Sequence, residues 1–312
     1  MATILVTGGA GFIGSHLATR FVEQGHRVRV FDNLSTGFRS NLKHLDGRVD
    51  LIEADLRDAE ACRKACERVE FVFHQAALGS VPKSVDDPQT SHDVNIGGTF
   101  NILRAAVEQK VRRFINAGSS SVYGDAEESP KHEGMIPRPL SPYAVQKLAG
   151  EEYAAAFYVC YGLESITLRY FNVFGPRQDP KSQYAAAIPA FVSAILNGEA
   201  PTVYGDGQQS RDFTYIDNVV DANILAMSAK KTTGQAVNIA CGGQITINQV
   251  ISAINKVLGT KAQPRSVNAR PGDVRHSCAD IRLATSLLGF RPKVSFEDGL
   301  RRAIDYYRSI AG

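Results

Sequence analysis

The chain has 312 residues, 44% of them hydrophobic and 21% charged, with a formal net charge of +3. A chain of this length buries about three quarters of its unfolded surface, in one large domain or two unequal lobes. The balanced charge, with no run rich in lysine and arginine, argues against bulk binding to nucleic acid or a membrane surface. No apolar run approaches the ~20 residues of a membrane span. The opening stretch Met1 to Thr7 has neither a basic flank nor a cleavage site, so a signal peptide is not expected. The five cysteines (Cys62, Cys66, Cys160, Cys241 and Cys278) are odd in number and scattered, which suits reduced thiols in the cytoplasm. Cys62 and Cys66 lie four apart on an expected helix. No His or Cys cluster completes a metal pair there, so both are read as small helix residues and no metal site is expected.

Taken in chain order, Ile4-Leu5-Val6 is a short apolar run ending in glycines, the mark of a buried strand. Residues 12–24 have helical spacing, ended by Gly25, and 27–31 form a second strand. Strands are expected at 51–55, 71–74, 113–117 and 165–170. Helices are expected at 58–68, 99–109 and 142–161. This alternation predicts an α/β fold, a doubly wound parallel sheet with helices on both faces. After Phe171 the pattern loosens into polar, Gly- and Pro-broken loops. Helices then follow at 188–196, 217–229, 247–258 and 296–310. The division expected is a dinucleotide-binding domain over 1–171, with returning segments near 213–240, and a smaller lobe over 172–312 capping the C-terminal edge of the sheet.

The run Thr7-Gly8-Gly9-Ala10-Gly11-Phe12-Ile13-Gly14 lies between the first strand and the first helix. It satisfies G-x-G-x-x-G through Gly9, Gly11 and Gly14, and G-x-x-G-x-x-G through Gly8, Gly11 and Gly14. Glycines permit a tight turn and close approach of phosphate to the backbone. The helix N-terminus offers free N–H groups and the positive end of its dipole. Alone such a string is weak evidence; here the strand, turn and helix context is right. Asp32 ends the second strand, eighteen residues beyond Gly14. A carboxylate there accepts hydrogen bonds from the adenosine ribose hydroxyls and repels an extra phosphate, so NAD is expected rather than NADP.

Tyr143 and Lys147 sit four apart at the start of the 142–161 helix and so share one face. A free tyrosine, with a pKa of ~10, is a poor base at neutral pH. A nearby ammonium and the positive charge of an oxidised nicotinamide favour its phenolate. Tyr-x-x-x-Lys is common on amphipathic helices and carries little weight by itself. Its company carries more: the strand ending at Ala117 runs into Gly118-Ser119-Ser120-Ser121, which opens on the same sheet edge as the phosphate turn. Ser119 there could hydrogen-bond a substrate hydroxyl, although serines at a strand end also serve simply as turn residues.

Together these residues resemble the extended short-chain dehydrogenases/reductases, and within them the UDP-hexose 4-epimerases. The likeness spans the chain through the phosphate turn, Asp32-Asn33, His74 to Ala77, Asn95, Ser119 to Gly124, Tyr143 with Lys147, Arg169 to Asn172, Ser210 to Asp212, and Arg270 to Asp273. The resemblance implies a Rossmann sheet with a C-terminal lobe that binds a UDP-sugar, and NAD as a retained cofactor. It implies Tyr143 as the acid/base on the 4-hydroxyl, Lys147 as the residue that lowers its pKa and holds the nicotinamide ribose, and Ser119 as the substrate-orienting residue. Along the cofactor it implies Gly8, Gly11, Phe12, Ile13, Asp32, Asn33, Ser35, Thr36 and Gly37. It adds Asp55, Leu56, Gln75, Ala76, Ala77 and Asn95, with Tyr170 and Val173 flanking the nicotinamide. Around the substrate it implies Ser80, Ser119, Ser120, Ser121, Asn172, Arg211, Arg270 and Asp273. The two arginines would neutralise the diphosphate with forked donors. Carbon 4 would lose hydride to NAD, the 4-keto sugar would turn over in the pocket, and hydride would return to its other face. A cytoplasmic homodimer is implied as well, pairing the 99–109 and 142–161 helices with their copies in a four-helix bundle.

The likeness also narrows the substrate. Dehydratases of this scaffold carry an Asp-Glu pair, and decarboxylases a glutamate, where this chain has Ser120 and Ser121, so neither reaction is expected. UDP-glucuronate 4-epimerases usually have threonine in place of Asn172, and their counterpart of Gln178-Asp179-Pro180-Lys181 differs. Ser277 falls at the position where narrow-specificity enzymes carry a bulky tyrosine. A serine there leaves room for a 2-N-acetyl group, so UDP-GlcNAc and UDP-GalNAc are expected substrates alongside the plain pair. A glucose-only 4-epimerase, a UDP-glucuronate 4-epimerase and a non-catalytic NAD-binding scaffold are the alternatives.

Overall fold

A computed structural model describes residues 1–180, 186–268 and 274–311. Its centre is a seven-stranded sheet: β1 (Thr3–Thr7), β2 (Arg27–Asp32), β3 (Val49–Glu53), β4 (Phe71–His74), β5 (Arg113–Ser119), β6 (Glu164–Tyr170) and β7 (Ala236–Ile239). Their order across the sheet is β7-β6-β5-β4-β1-β2-β3, and every pairing is parallel. Strands buried on both faces read as near-continuous apolar runs, and β1 shows why. Ile4 and Val6 enter the core on one face while Leu5 enters the core on the other. The order reverses between β1 and β4, which opens a crevice at the carboxyl ends of those strands.

Helix α1 (Phe12–Glu23) packs Leu17, Ala18 and Phe21 into the first core, and α2 (Ala59–Ala65) and α3 (Gly98–Glu108) cover the other face. The long α4 (Pro142–Tyr161) is bounded as its sequence signals demand: Ser141 caps it by accepting from the Ala144 N–H, Pro142 opens it, and Gly162, at φ 71°, ends it. Two expectations shift. β3 ends at Glu53, two residues before the expected end, so Asp55 lies in the turn beyond the strand. The segment before α3, left unassigned by periodicity, holds two short helices, Val81–Asp86 and Pro88–His92, and a wide turn over Asp93–Gly97. Prolines at their first turns and capping Ser80 and Asp87 mark them.

Beyond β6 the described residues make only two-stranded pairs before the chain returns to the sheet as β7. Helices α5 (Ala187–Leu196), α6 (Ile216–Ser228), α7 (Ile247–Leu258), α8 (Arg282–Leu288) and α9 (Phe296–Ala311) complete the chain. α6 packs back on α1, where Arg20 meets Asp221 at 3.0 Å. The aromatic rings of Phe174, Phe213, Tyr215 and Phe296 join the rest of the lobe. A single buried carboxylate, Asp212, ties three of its segments by accepting from the main-chain N–H groups of Cys241, Gly242 and Ala279.

Candidate active site

The phosphate turn is shaped by contacts that exclude side chains. Gly8 adopts φ +65°, and a Cβ on it would lie 2.7 Å from the main chain of Ala76. A Cβ on Gly14 would lie 2.1 Å from the Gly8 carbonyl oxygen. Helix α1 therefore starts hard against the turn, with Gly11 at its cap, no side-chain capping bond and no acidic residue in its first turn. Its leading N–H groups stay available to an anion. Gly8, Gly11, Phe12 and Ile13 line a cavity of about 420 Å³, together with Asp32, Asn33, Ser35, Thr36, Asp55, Leu56, Gln75, Ala76, Ala77, Tyr143, Lys147 and Tyr170.

Asp32 is buried, and its two oxygens accept from the N–H groups of Ala10 and Leu34 at 2.9 and 2.8 Å. Burial pushes its pKa up, and those two bonds oppose the shift. Each oxygen keeps a second lone pair for a hydroxyl. Asn33 holds Asp55, which Arg57 also grips through both carboxylate oxygens, and Arg57 keeps the Asp55 carboxyl far below its usual range. Two acceptors on residues lining this cavity, Oε1 of Gln75 and Oε1 of Gln178, are buried with no hydrogen-bond partner. A glycine cradle that no Cβ could share, free helix N–H groups, a carboxylate beside them and spare acceptors fit a dinucleotide.

The wall at residues 75–78 is fixed by a buried histidine. Thr7 Oγ1 accepts from the Ala76 N–H and lies 2.8 Å from His74 Nδ1, to which it donates when the ring is neutral with its proton on Nε2. On the other side Thr99 donates to the Asn95 carbonyl, so it accepts from His74 Nε2–H at 3.0 Å. These partners assign a neutral Nε2–H tautomer. Burial, reinforced by the charge of Lys147, pushes the His74 pKa down to about 3. Asn95 clasps the Leu78 main chain with both ends of its amide and also donates to Gln146.

Three residues expected around the cofactor thus lie off the cavity wall, for local reasons. Asn95 is consumed in bracing that loop. Gly37 lies against the phosphate turn, where a Cβ would sit 2.9 Å from Ala10 and 3.0 Å from the Asp32 carboxylate. Val173 faces the second cavity described below. Tyr170 does line the first cavity, but its hydroxyl is engaged by Gln75 and Asn223.

The half-buried Tyr143 reaches this cavity from the first turn of α4. Burial pushes its phenol pKa up, and a hydrogen bond with the Ser119 side chain pulls it down. Lys147 donates to the Ala117 carbonyl at 2.9 Å, and burial pushes its pKa down to about 8. No hydrogen bond joins Tyr143 to Lys147, so any help from the ammonium acts through space. Ser119 caps the short turn Ser120–Tyr123 and pairs with the Ser121 hydroxyl at 2.8 Å. Ser119, Ser120 and Ser121 line neither cavity, although Ala117 and Gly118 before them line the first. The turn is anchored from below: Arg169 forms a buried pair with Glu151 of α4 and donates to the Tyr123 hydroxyl at 2.7 Å.

A second cavity, of about 560 Å³, shares Gly79 and Ala186 with the first. Ser80, Asn172 and Arg211 line it. Asn172 sits at φ 34° with its amide on the Asp212 carbonyl, and Arg211 donates to the Ser210 and Arg275 carbonyls. Sequence reading missed Phe191, Thr202, Tyr204 and Gln209 on its wall. Gln178 and Asp179, used in the sequence only to narrow the substrate, line the first together with Arg177. Thr202, Tyr204 and Gln209 come from short strands and loops without periodicity, whereas Phe191 lies on the expected 188–196 helix, whose spacing does not say which face meets a ligand. Ser277 is buried, with its N–H on the Ser210 carbonyl, and lines neither cavity. Arg270 and Asp273 lie outside the described residues. Among the described residues no cluster of His, Cys, Asp or Glu could hold a metal ion, and no helix is long and apolar enough to cross a membrane.

Comparison with known proteins places this geometry. Residues 4–240 match the NAD dependent epimerase/dehydratase family. The chain is 36% identical to a putative UDP-glucose 4-epimerase of Methanocaldococcus jannaschii, over 98% of both chains. It superposes on the UDP-N-acetylglucosamine 4-epimerase of Methanobrevibacter ruminantium, solved with UDP-N-acetylmuramic acid, with a TM-score of 0.95, 40% identity and 99% of each chain covered. The UDP-glucose 4-epimerase of Thermotoga maritima, solved with UDP-glucose, gives 0.95 and 38%, over 99% of this chain and 100% of the other.

Proposed function

This chain belongs to the NAD dependent epimerase/dehydratase family, and from that premise we propose that it inverts carbon 4 of a UDP-hexose, acting on UDP-GlcNAc and UDP-GalNAc and on UDP-glucose and UDP-galactose. The observation that carries the reading is Tyr143. It stands on the wall of the first cavity at the start of α4, with Lys147 beside it on that wall and the Ser119 side chain as its partner. NAD would be held by the glycine turn and Asp32, and it would supply the hydride chemistry at carbon 4. Everything else falls to side chains of this chain. Tyr143 takes the 4-hydroxyl proton and later gives it back. Ser119 aims that proton. Lys147, pinned to Ala117, supports the phenolate with its charge. Asp32 suits the unphosphorylated ribose of NAD. The second cavity receives the uridine diphosphate, with Arg211 and Asn172 toward the phosphates, and Arg270 and Asp273 are proposed to join them.

The preference for an acetylated sugar is supported by the 40% identity to a UDP-N-acetylglucosamine 4-epimerase, whereas Ser277, which lines neither cavity, lends it no support. A panel of UDP-sugars resolved by product identity tests both levels. We expect interconversion of the acetylated and the plain pair, and a loss of about 10²-fold or more in Tyr143→Phe. Turnover of the plain pair alone would remove the acetylated-sugar reading. Turnover of UDP-glucuronate alone would move the assignment to a uronate epimerase. No turnover of any UDP-sugar would leave a dinucleotide-binding scaffold.

The partner we assign to α3 and α4 is a second copy of this chain. Their outer face leaves Phe100, Tyr153, Val159 and Tyr161 exposed, Val159 by 79%. Two such pairs of helices would cover one another as a four-helix bundle. Sedimentation should give twice the chain mass, and Val159→Asp should give a monomer; a wild type that sediments as a monomer overturns this.

A further inference from the structure

The first turn of α4 carries the proposed acid/base, and its main-chain N–H groups have no partner within the helix. Ser141 accepts from the Ala144 N–H at 3.2 Å, an ordinary local cap. The Tyr143 N–H is met from elsewhere in the chain, by Oγ of Ser84 at 3.0 Å. Ser84 is 1% exposed, and its own proton goes to the Val81 carbonyl at 2.7 Å. A hydroxyl with its proton committed in this way presents a lone pair to Tyr143 and nothing else. Ser84 belongs to the short helix Val81–Asp86, and the residues leading into it, Gly79, Ser80, Val81 and Pro82, line the second cavity. One turn further along α4, Ser91 and Asn95 both donate to Gln146 Oε1 at 2.8 Å. The stretch from Ser80 to Asn95 therefore touches the substrate cavity with one end and grips the catalytic helix at Tyr143 and Gln146 with the rest.

We propose that Ser84 is a positioning residue that holds the Tyr143 main chain in register with Ser119 and Lys147 and ties that register to the wall of the substrate cavity. The inference rests on the reading of Tyr143 as the acid/base. Lys147 is fixed separately, at Ala117, one turn downstream. Loss of the Ser84 bond leaves a buried N–H unmet and frees the first turn to fray. The phenol then drifts from Ser119 while Lys147 stays in place, and misplacement of about 1 Å at a reacting group lowers rate by up to ~10²-fold.

Ser84→Ala in the full-length, NAD-loaded protein is the test, with Ser141→Ala as its control, since that change removes a cap from the same turn without touching Ser84 or the cavity wall. Two readouts are taken: steady-state kinetics, and the ultraviolet tyrosinate titration that disappears in Tyr143→Phe. Ser84→Ala should lower kcat about tenfold or more with KM changed little, raise the Tyr143 titration, and leave NAD content unchanged. Ser141→Ala should lose comparable thermal stability yet keep kcat within about twofold. An unchanged titration in Ser84→Ala, or a fall in kcat no larger than that of Ser141→Ala, would overturn the inference. A wild type inactive on every UDP-sugar would instead overturn the epimerase reading, and the titration would still decide the role of Ser84.

Discussion

The two cavities are built by different means. The dinucleotide cavity is walled by strand ends and helix starts of one continuous parallel sheet, and its shape is set by absences: there is no side chain at Gly8 or Gly14 and no cap on α1. Backbone defines it, so it tolerates little change. The second cavity is walled by the ends of two- and three-residue strands and by helices of a looser lobe, gathered around Asp212 and a cluster of aromatic rings. Side chains define it, and many substitutions would reshape it without unfolding the chain. Lys147 and Ser119 are tied to the sheet, whereas the wall of the second cavity can drift.

One pair of substitutions breaks the comparison if it is wrong. Gly14→Ala forces a methyl group to 2.1 Å from a carbonyl oxygen in the stiff half, so it should cost about 3 kcal/mol or more and abolish NAD retention. Asp212→Ala leaves three main-chain N–H groups without their acceptor in the looser half and should cost about 2 kcal/mol. It should weaken UDP-sugar binding while NAD stays bound. Urea midpoints, with NAD measured after denaturation and UDP binding by calorimetry, separate the two effects. Equal loss of both ligands in both variants would mean that the halves are one cooperative unit.

The response to pH sharpens the picture of the stiff half. His74 is neutral in the fold, its pKa pushed down to about 3 by burial, whereas the unfolded chain titrates near 6.5. The unfolded state therefore binds the proton that the native state refuses. The stability this histidine contributes is complete above pH 6.5 and is lost as pH falls toward about 3. The slope it adds is at most about 1.4 kcal/mol per pH unit. Unfolding midpoints between pH 7 and pH 4 should fall more steeply in the wild type than in His74→Asn. Parallel lines would mean that His74 does not control acid stability.

Much of the stiff half was legible from residue order. Ile4-Leu5-Val6 before a glycine run, Asp32 after a second strand, and Pro142 opening and Gly162 closing a long helix each encode a local conformation. Steric limits on glycine and proline and the two-sided burial of parallel strands act over a few residues. Tyr143 and Lys147 share a face by helix geometry alone. Tertiary structure decided what depends on partners distant in sequence. It made Asn95 the brace of Leu78, gave His74 its tautomer through Thr7 and Thr99, and brought Ser84 to the Tyr143 main chain across 59 residues. It also assembled the wall of Thr202, Tyr204 and Gln209, for which no periodicity exists to be read. A short polar side chain has no preferred partner until the fold supplies one. Its role is fixed by which donor or acceptor is left unmet nearby, and that is a property of packing rather than of spacing.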